Sequence, residues 1–131
     1  MTDKIETEIR ETEKPITIFS DIDGTILKHY GSTMAVAMKN GKAEILPGVR
    51  EKFEEWDLKG YNIILTTGRR ESMREVTEEQ LSRFGIIYDN LIMGIGGGKR
   101  YLINDTKPDD GEPTCFGITV KRNAGLKGIN V

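Results

Sequence analysis

The stretch that decides the fold is Pro15-Ile16-Thr17-Ile18-Phe19-Ser20-Asp21-Ile22-Asp23-Gly24-Thr25. Its first half is rich in β-branched and aromatic residues, which is typical of a buried strand. Its second half carries two carboxylates, Asp21 and Asp23, and then a glycine at which the chain can bend sharply. Ligands of open α/β sheets bind outside the carboxyl ends of the strands. This stretch therefore predicts a strand that delivers two acids to a ligand site.

The rest of the chain alternates short apolar runs with helical patterns, which indicates parallel strands joined by crossover helices. The prediction is an α/β fold with a doubly wound, mostly parallel sheet. After the first strand, further strands are expected at residues 61–65, 90–93, 100–103 and 115–120. Two helices are predicted from apolar residues at helical spacing, each closed by a glycine. Their apolar positions and stops are Val49, Phe53 and Trp56 before Gly60, then Met73, Val76, Leu81 and Phe84 before Gly85.

The segment that follows the first strand departs from this alternation. Residues 33–38 and 42–46 flank Asn40-Gly41, a pair typical of a two-residue hairpin turn in which both positions take a positive φ. We therefore expect a β-hairpin flap that projects beyond the first strand. Its apolar side chains Met34, Val36 and Met38 either pack in the core or contact a substrate or a second copy of the chain.

Length and composition favour one domain and exclude several functional classes. A chain of 131 residues suits a single hydrophobic core, so residues 15–131 are taken as one domain and residues 1–14 as a tail or an edge strand. The net charge of -2 lacks the basic surplus expected of a nucleic-acid binder. No apolar run reaches the roughly 20 residues that cross a bilayer, and the charged N-terminus does not resemble a signal peptide. The single Cys115 excludes an intrachain disulfide and agrees with a cytoplasmic location.

Several polar residues are expected to converge at the carboxyl edge of the sheet. Thr67, Gly68 and Arg69 follow the second strand, and Lys99 and Asp105 flank the predicted strand at 100–103. Paired carboxylates would repel a phosphate dianion unless a cation lay between them, and Mg²⁺ takes carboxylate oxygens together with water and a substrate oxygen. A hydroxyl, turn amides and a lysine ammonium can hold the remaining phosphoryl oxygens. The pattern favours phosphoryl-transfer chemistry.

These residues resemble the motifs of the haloacid dehalogenase superfamily. Residues 16–25 resemble its motif I, a hydrophobic strand that ends in Asp-x-Asp-Gly-Thr. Residues 63–69 look like motif II, with Thr67 at the position of the phosphate-binding hydroxyl. Residues 102–105 look like motif IV, in which an acid completes the magnesium site. The resemblance covers about residues 15–120.

The resemblance implies a Rossmann-like sheet and a Mg²⁺-dependent phosphatase. Asp21 would be the covalent nucleophile and Asp23 the acid–base partner, with Asp21, Asp23 and Asp105 at the metal. Thr67, Gly68, Arg69 and Lys99 would bind the phosphate group. Two positions depart from the family pattern. Asn104 stands where a first acid is common, and the motif III lysine is either Lys99 or Lys107.

The spacing of the motifs leaves no room for a cap domain, since only a hairpin precedes the first helix and only a helix and a short strand lie between Arg69 and Lys99. A capless member implies a phosphorylated metabolite, such as a sugar phosphate or a sugar nucleotide, as substrate, with contacts between copies of the chain through the flap as a further expectation. The alternatives are a nucleic-acid end-processing phosphatase, a phospho-accepting receiver module and a degenerate binding protein.

Overall fold

A computed structural model describes residues 14–31 and 42–131, and its core is a parallel three-stranded sheet. The strands are β1 (Thr17–Asp21), β2 (Asn62–Thr66) and β3 (Asn90–Ile92), in the order β1-β2-β3. Helix α1 (Val49–Leu58) connects β1 to β2. A 3₁₀ turn (Glu71–Met73) and helix α2 (Arg74–Arg83) connect β2 to β3. The α/β class and the parallel sheet are confirmed.

The strand register places the core on one face of the sheet. Ile18 lies opposite Ile63, and Leu65 lies opposite Leu91, so these alternate side chains point the same way. Right-handed crossovers between neighbouring parallel strands put both helices against that face. The opposite face is open, and Phe19 on β1 is 52% exposed. A doubly wound sheet needs further strands on the far side of β1, and none of the residues described forms one there.

The two helices form where apolar periodicity predicts them. Val49, Phe53 and Trp56 of α1 are buried, and the Phe53 and Trp56 rings lie 5.1 Å apart. Each helix is followed by a glycine in the left-handed region, Gly60 at φ 74° and Gly85 at φ 68°. A residue without a Cβ adopts this conformation readily, which explains why the helices end there.

The strands predicted at 100–103 and 115–120 are wrong. Residues 102–115, called the arm below, instead form an irregular hairpin in which Thr106 bridges Pro113 and the Lys107 N–H donates to the Glu112 carbonyl at 2.8 Å. The apolar side chains do not reach the sheet, since Tyr101 is 87% exposed and Ile103 is 91% exposed. Two prolines and a glycine inside the arm favour turns over a regular strand.

The predicted flap lies largely outside the described residues, as do residues 1–13 of the predicted tail or edge strand. The returning limb is described from Lys42 onward and pairs with the chain that leaves β1. The Lys28 N–H donates to the Glu44 carbonyl at 2.9 Å, and the Leu46 N–H donates to the Ile26 carbonyl at 3.0 Å. In the described part of the chain, no helix has the length and apolar character needed to cross a membrane.

The C-terminal segment, residues 120–131, is held against the start of α1 by close backbone contact. The Leu126 N–H donates to the Pro47 carbonyl at 2.9 Å. Gly125 has φ 86°, and a Cβ at this position would lie 2.1 Å from the Pro47 oxygen. Only glycine satisfies both the backbone conformation and the contact.

Gly125→Ala is therefore expected to lower the free energy of unfolding more than Gly128→Ala does. Both glycines have a positive φ, but a Cβ at Gly128 would meet nothing within 4 Å. Gly128→Ala should cost about 1–2 kcal/mol for the left-handed conformation alone. Gly125→Ala should cost about 1–3 kcal/mol more because the backbone must move apart. Urea unfolding of the two variants measures the difference, and equal costs would contradict the described contact.

Candidate active site

The Asp loop, residues 21–27, begins at the carboxyl end of β1 and is closed by its own backbone. The Ile26 and Leu27 N–H groups both donate to the Ile22 carbonyl, at 2.9 and 3.0 Å, and the Gly24 N–H donates to the Leu27 carbonyl at 2.7 Å. Gly24 takes φ 91°, which permits the tight reversal. Ile22, Ile26 and Leu27 are fully buried. The loop is therefore a rigid platform for Asp21 and Asp23.

Asp23 is fixed by a buried guanidinium. Arg69 Nε donates to Asp23 Oδ2 at 3.0 Å, and Arg69 Nη2 donates to Asp23 Oδ1 at 2.8 Å. Nη1 of the same guanidinium donates to Thr77 Oγ1 at 2.9 Å and to Gln80 Oε1 at 2.7 Å. Arg69 is only 1% exposed. A bidentate pair of this kind sets both the position and the plane of the carboxylate.

Arg69 was expected to bind substrate phosphate, and these contacts give it another partner. The Arg69 guanidinium donates to Asp23 and to side chains of helix α2. Binding of substrate phosphate by Arg69 stays a prediction, and these contacts do not support it. Its contribution in the structure is to position Asp23.

The turn after β2 begins at Thr67, next to the Asp loop. Asp21 pairs with Thr66 across the β1–β2 register, which puts Thr67 next to the Asp loop. The Thr67 hydroxyl accepts the Arg69 N–H at 3.0 Å, so its own proton remains available to a ligand. A Cβ at Gly68 would lie 3.0 Å from the Gly96 carbonyl oxygen. Gly68 thus permits close approach of residues 94–100, called the glycine loop below.

The glycine loop is held over the turn after β2. The Gly94 N–H donates to the Arg69 carbonyl at 2.7 Å, and the Ile95 N–H donates to the Thr67 carbonyl at 3.2 Å. Arg100 closes the loop by donating to the Gly98 carbonyl at 2.8 Å and the Gly96 carbonyl at 3.0 Å. These contacts bring the Arg100 guanidinium, rather than a lysine, into electrostatic reach of Asp21.

Asp21 is a partly buried carboxylate without an ion-pair partner among the residues described. Burial raises the pKa of the Asp21 carboxyl above its ordinary value, and nearby Asp23 adds to the increase. The Ile22 N–H, the Arg100 charge and the Thr25 hydroxyl act in the opposite direction, lowering the pKa. The Thr25 hydroxyl donates to Asp21 Oδ2 at 3.4 Å, a long hydrogen bond. A carboxylate in this situation is suited to a cation or to attack on an electrophile.

The two lysine candidates and Asp105 lie apart from this cluster of contacts. Lys99 is exposed, and its neighbour Arg100 supplies the charge near Asp21. Lys107 lies in the arm, where its Nζ is 3.8 Å from Asp110 Oδ2. Asp105 is exposed in the arm, where its carbonyl accepts the Thr114 hydroxyl.

The predicted metal ligands are only partly assembled. Within residues 14–31 and 42–131, no three His, Cys, Asp or Glu side chains form a group that could hold a metal ion. The chemistry of Asp21 fits a divalent cation, because it is a desolvated carboxylate. Both oxygens of Asp23 are engaged by Arg69. The predicted metal roles of Asp23 and Asp105 therefore remain predictions.

Sequence reasoning missed three side chains that shape the site. Thr77 and Gln80 are fully buried on α2, and the helical pattern offered a signal, since both lie one turn or less from the predicted core position Leu81. Asn123 holds the Asp loop from the C-terminal segment: its side chain pairs with the His29 backbone, and its backbone N–H donates to the Gly24 carbonyl at 2.8 Å. No local pattern indicates that contact.

Comparison with known proteins assigns this arrangement to a family. Residues 2–107 match the family model of the HAD superfamily, subfamily IIIB (acid phosphatase). The chain belongs to this family. The resemblance found in the motifs around Asp21 and Thr67 is thereby confirmed for most of the chain. No curated protein matches it.

Two solved structures of an RNA repair complex are similar to this HAD-family chain. One, the Pnkp1/Rnl/Hen1 RNA repair complex, shares 28% identity with a TM-score of 0.55 over 65% of this chain and 27% of that chain. The other, the Pnkp1/Rnl/Hen1 complex, shares 26% identity with a TM-score of 0.56 over 71% of this chain and 32% of that chain. A D,D-heptose 1.7-bisphosphate phosphatase from B. bronchiseptica matches at 18% identity and a TM-score of 0.46, over 73% of this chain and 53% of that chain. The chain thus spans about a third or less of the length of the repair-complex chains.

Arg69→Met is expected to lower the free energy of unfolding by about 3–5 kcal/mol, because it leaves the Asp23 carboxylate buried without its partner. Arg70→Met is the matched control, since Arg70 is the next residue and is exposed. Such a surface change should stay within about 0.5 kcal/mol. Chemical unfolding of both variants measures the contrast. A cost below about 1 kcal/mol for Arg69→Met would show that Asp23 does not depend on this pair.

Proposed function

We propose that the protein is a phosphatase that hydrolyses phosphoric monoesters through an aspartyl-phosphate on Asp21. The observation that carries this proposal is that the two acids of the Asp loop have different surroundings. Asp23 is held by Arg69, whereas Asp21 is partly buried and free of any ion pair with a described residue. Membership of the HAD acid phosphatase subfamily supports the same chemistry.

In this proposal an Asp21 oxygen attacks phosphorus in line, and the bond from phosphorus to the substrate oxygen breaks. Asp23 gives a proton to the departing oxygen and later takes one from the water that hydrolyses the aspartyl-phosphate. Arg69 fixes the plane of Asp23. Because a neighbouring cation favours the ionised carboxylate, Asp23 has to take up a proton before it acts as the acid in this proposal. The Thr67 hydroxyl and the turn amides near Gly68 donate to the other phosphoryl oxygens.

Magnesium belongs to the proposal as the cofactor, with Asp21 as its best-supported ligand and Asp23 and Asp105 as the remaining candidates. When bound, the ion neutralises charge on the phosphoryl group and on the attacking carboxylate. Because Asp105 is exposed in the arm, its participation requires the arm to approach the Asp loop.

For the substrate we propose a phosphorylated metabolite, such as a sugar phosphate or a sugar nucleotide. Residues 69–100 carry one helix and one short strand, so no cap domain covers the site from that side. The free thiol of Cys115 agrees with the cytoplasm as its setting. We also propose that two copies of the chain contact each other through the flap.

A second candidate function is a nucleic-acid end-processing phosphatase. It is supported by the similarity to chains of an RNA repair complex at 26–28% identity. The net charge of -2 and the exposed acids of α2 oppose it. A panel that includes sugar phosphates, nucleotides and 3′-phosphorylated oligonucleotides separates the two candidates.

Asp21→Asn is expected to abolish phosphatase turnover, measured as phosphate release from p-nitrophenyl phosphate, because the attacking carboxylate is lost. The wild-type protein quenched during turnover should carry one phosphoryl group on the peptide that contains Asp21. Asp57→Asn, an exposed change in α1, is the control and should behave as wild type. Activity of Asp21→Asn within tenfold of wild type would remove Asp21 from the nucleophile role.

Removal of divalent cations with EDTA is expected to stop turnover, and Mg²⁺ is expected to restore it while Ca²⁺ is not. Magnesium demands a near-octahedral shell, whereas calcium expands its shell and misplaces the attacking group. Full activity of a metal-free preparation would defeat the cofactor proposal.

In the same titration, a tenfold higher Mg²⁺ requirement of Asp105→Asn would assign Asp105 to the metal, and an unchanged requirement would exclude it.

A further inference from the structure

Arg122 lies directly on the Asp loop, although it is far from that loop in sequence. A Cβ at Gly24 would lie 3.3 Å from Arg122 Cγ and 3.8 Å from Arg122 Nε. Gly24 carries no side chain, so the stem of Arg122 rests against the loop one residue beyond Asp23. Gly24 thus makes room for an arginine as well as for the turn.

The backbone next to Arg122 is fastened to the same loop. The Asn123 N–H donates to the Gly24 carbonyl at 2.8 Å. The Asn123 side chain forms a reciprocal pair with the backbone of His29, accepting its N–H at 2.7 Å and donating to its carbonyl at 3.2 Å. Three hydrogen bonds therefore hold the position from which the Arg122 side chain extends.

The guanidinium of Arg122 is uncommitted, unlike the other two arginines at the site. Arg69 is occupied by Asp23 and α2, and Arg100 is occupied by carbonyls of the glycine loop. Arg122 is exposed and has no hydrogen-bond or ion-pair partner among residues 14–31 and 42–131. An unpaired guanidinium whose stem contacts Gly24, the residue after Asp23, is available to a ligand, and its planar donors match phosphate in a bidentate manner.

The position limits which phosphate Arg122 contacts. Gly24 is three residues from Asp21, and three residues span at most about 11 Å. The stem of Arg122 packs beside Gly24, and Thr67, with the glycine loop beyond it, lies on the β2 side of Asp21. Arg122 therefore lies within reach of a second anionic group that is separated by about this distance from the phosphoryl group attacked by Asp21.

We propose that Arg122 is a specificity residue that binds a second phosphate group of the substrate, next to the monoester that is hydrolysed. This inference rests on the proposed phosphatase function and narrows its substrate class. The preferred substrates are then compounds with two neighbouring phosphates. A small bisphosphate and a terminal phosphate that is flanked by a phosphodiester both have this chemistry.

The test compares Arg122→Gln with wild type on two matched substrate pairs. One pair is a hexose bisphosphate and the hexose monophosphate. The other is a 3′-phosphorylated dinucleotide and the nucleoside 3′-monophosphate. Arg122→Gln should lower the ratio of kcat/KM for the two-phosphate member to that for its one-phosphate partner by tenfold or more, mainly through KM. This is the scale of losing a charge-assisted hydrogen-bond pair. The pair that shows the drop identifies the source of the second phosphate.

Arg50→Gln is the matched control, because it removes the same charge from an arginine that contacts the Phe84 carbonyl, away from the Asp loop. It should leave both ratios unchanged. Arg122→Lys should fall between Arg122→Gln and wild type, since lysine keeps the charge but loses the bidentate geometry. Equal ratios in Arg122→Gln and wild type would overturn the inference.

A binding measurement makes this result independent of turnover. In the Asp21→Asn background, adding Arg122→Gln should weaken calorimetric binding of the two-phosphate compound at least tenfold more than binding of its one-phosphate partner. Equal weakening of both compounds, or none, overturns the role of Arg122 even where the enzyme is active. Absence of wild-type turnover on every substrate overturns the proposed function instead, and the binding contrast still decides the inference.

Discussion

The buried ion pair between Arg69 and Asp23 is the interaction on which the site depends. Removing two charges from water is costly. The pair is stable because both carboxylate oxygens accept hydrogen bonds and all three guanidinium nitrogens donate them. Arg69 comes from the turn after β2, Asp23 from the loop after β1, and Thr77 and Gln80 from α2. One guanidinium thus joins three elements that meet at the carboxyl edge of the sheet. A shift of α2 would therefore move Arg69 and change the position of the Asp23 carboxylate.

In the proposed mechanism this arrangement leaves Asp21 as the reactive group. Desolvation raises its pKa, and no cation forms an ion pair with it in the described part of the chain. Two glycines make close contacts around this site possible: Gly24 lies against the Arg122 side chain, and Gly68 lies against the Gly96 backbone. The loop therefore receives cationic groups from two distant segments, Arg100 from the glycine loop and Arg122 from the C-terminal segment. A phosphate group would meet these charges together with the Thr67 hydroxyl.

Local patterns predicted the elements whose apolar side chains repeat with a regular period. The strands at 15–19 and 61–65 and the helix around Phe53 and Trp56 lie where expected, because a strand or helix that faces a core needs apolar residues at its own period. The segments at 100–103 and 115–120 show a similar alternation, but neither forms a strand of the sheet. Alternation of apolar and polar residues predicts which side chains could be buried in a strand. It does not predict whether a neighbouring strand is available for pairing.

The sequence by itself determined that two acids lie at the carboxyl end of β1 and that a hydroxyl and a glycine follow β2. It also determined that these groups lie at one edge, because the carboxyl ends of adjacent parallel strands share an edge of the sheet. Only the tertiary structure decided which charges pair. Arg69 and Asp23 are 46 residues apart, and Asn123 and His29 are 94 apart. Partners at such separations depend on how elements pack, and no spacing along the chain encodes them. The pairing of Arg69 with Asp23 and the contact of Arg122 with Gly24 are therefore properties of the tertiary structure alone.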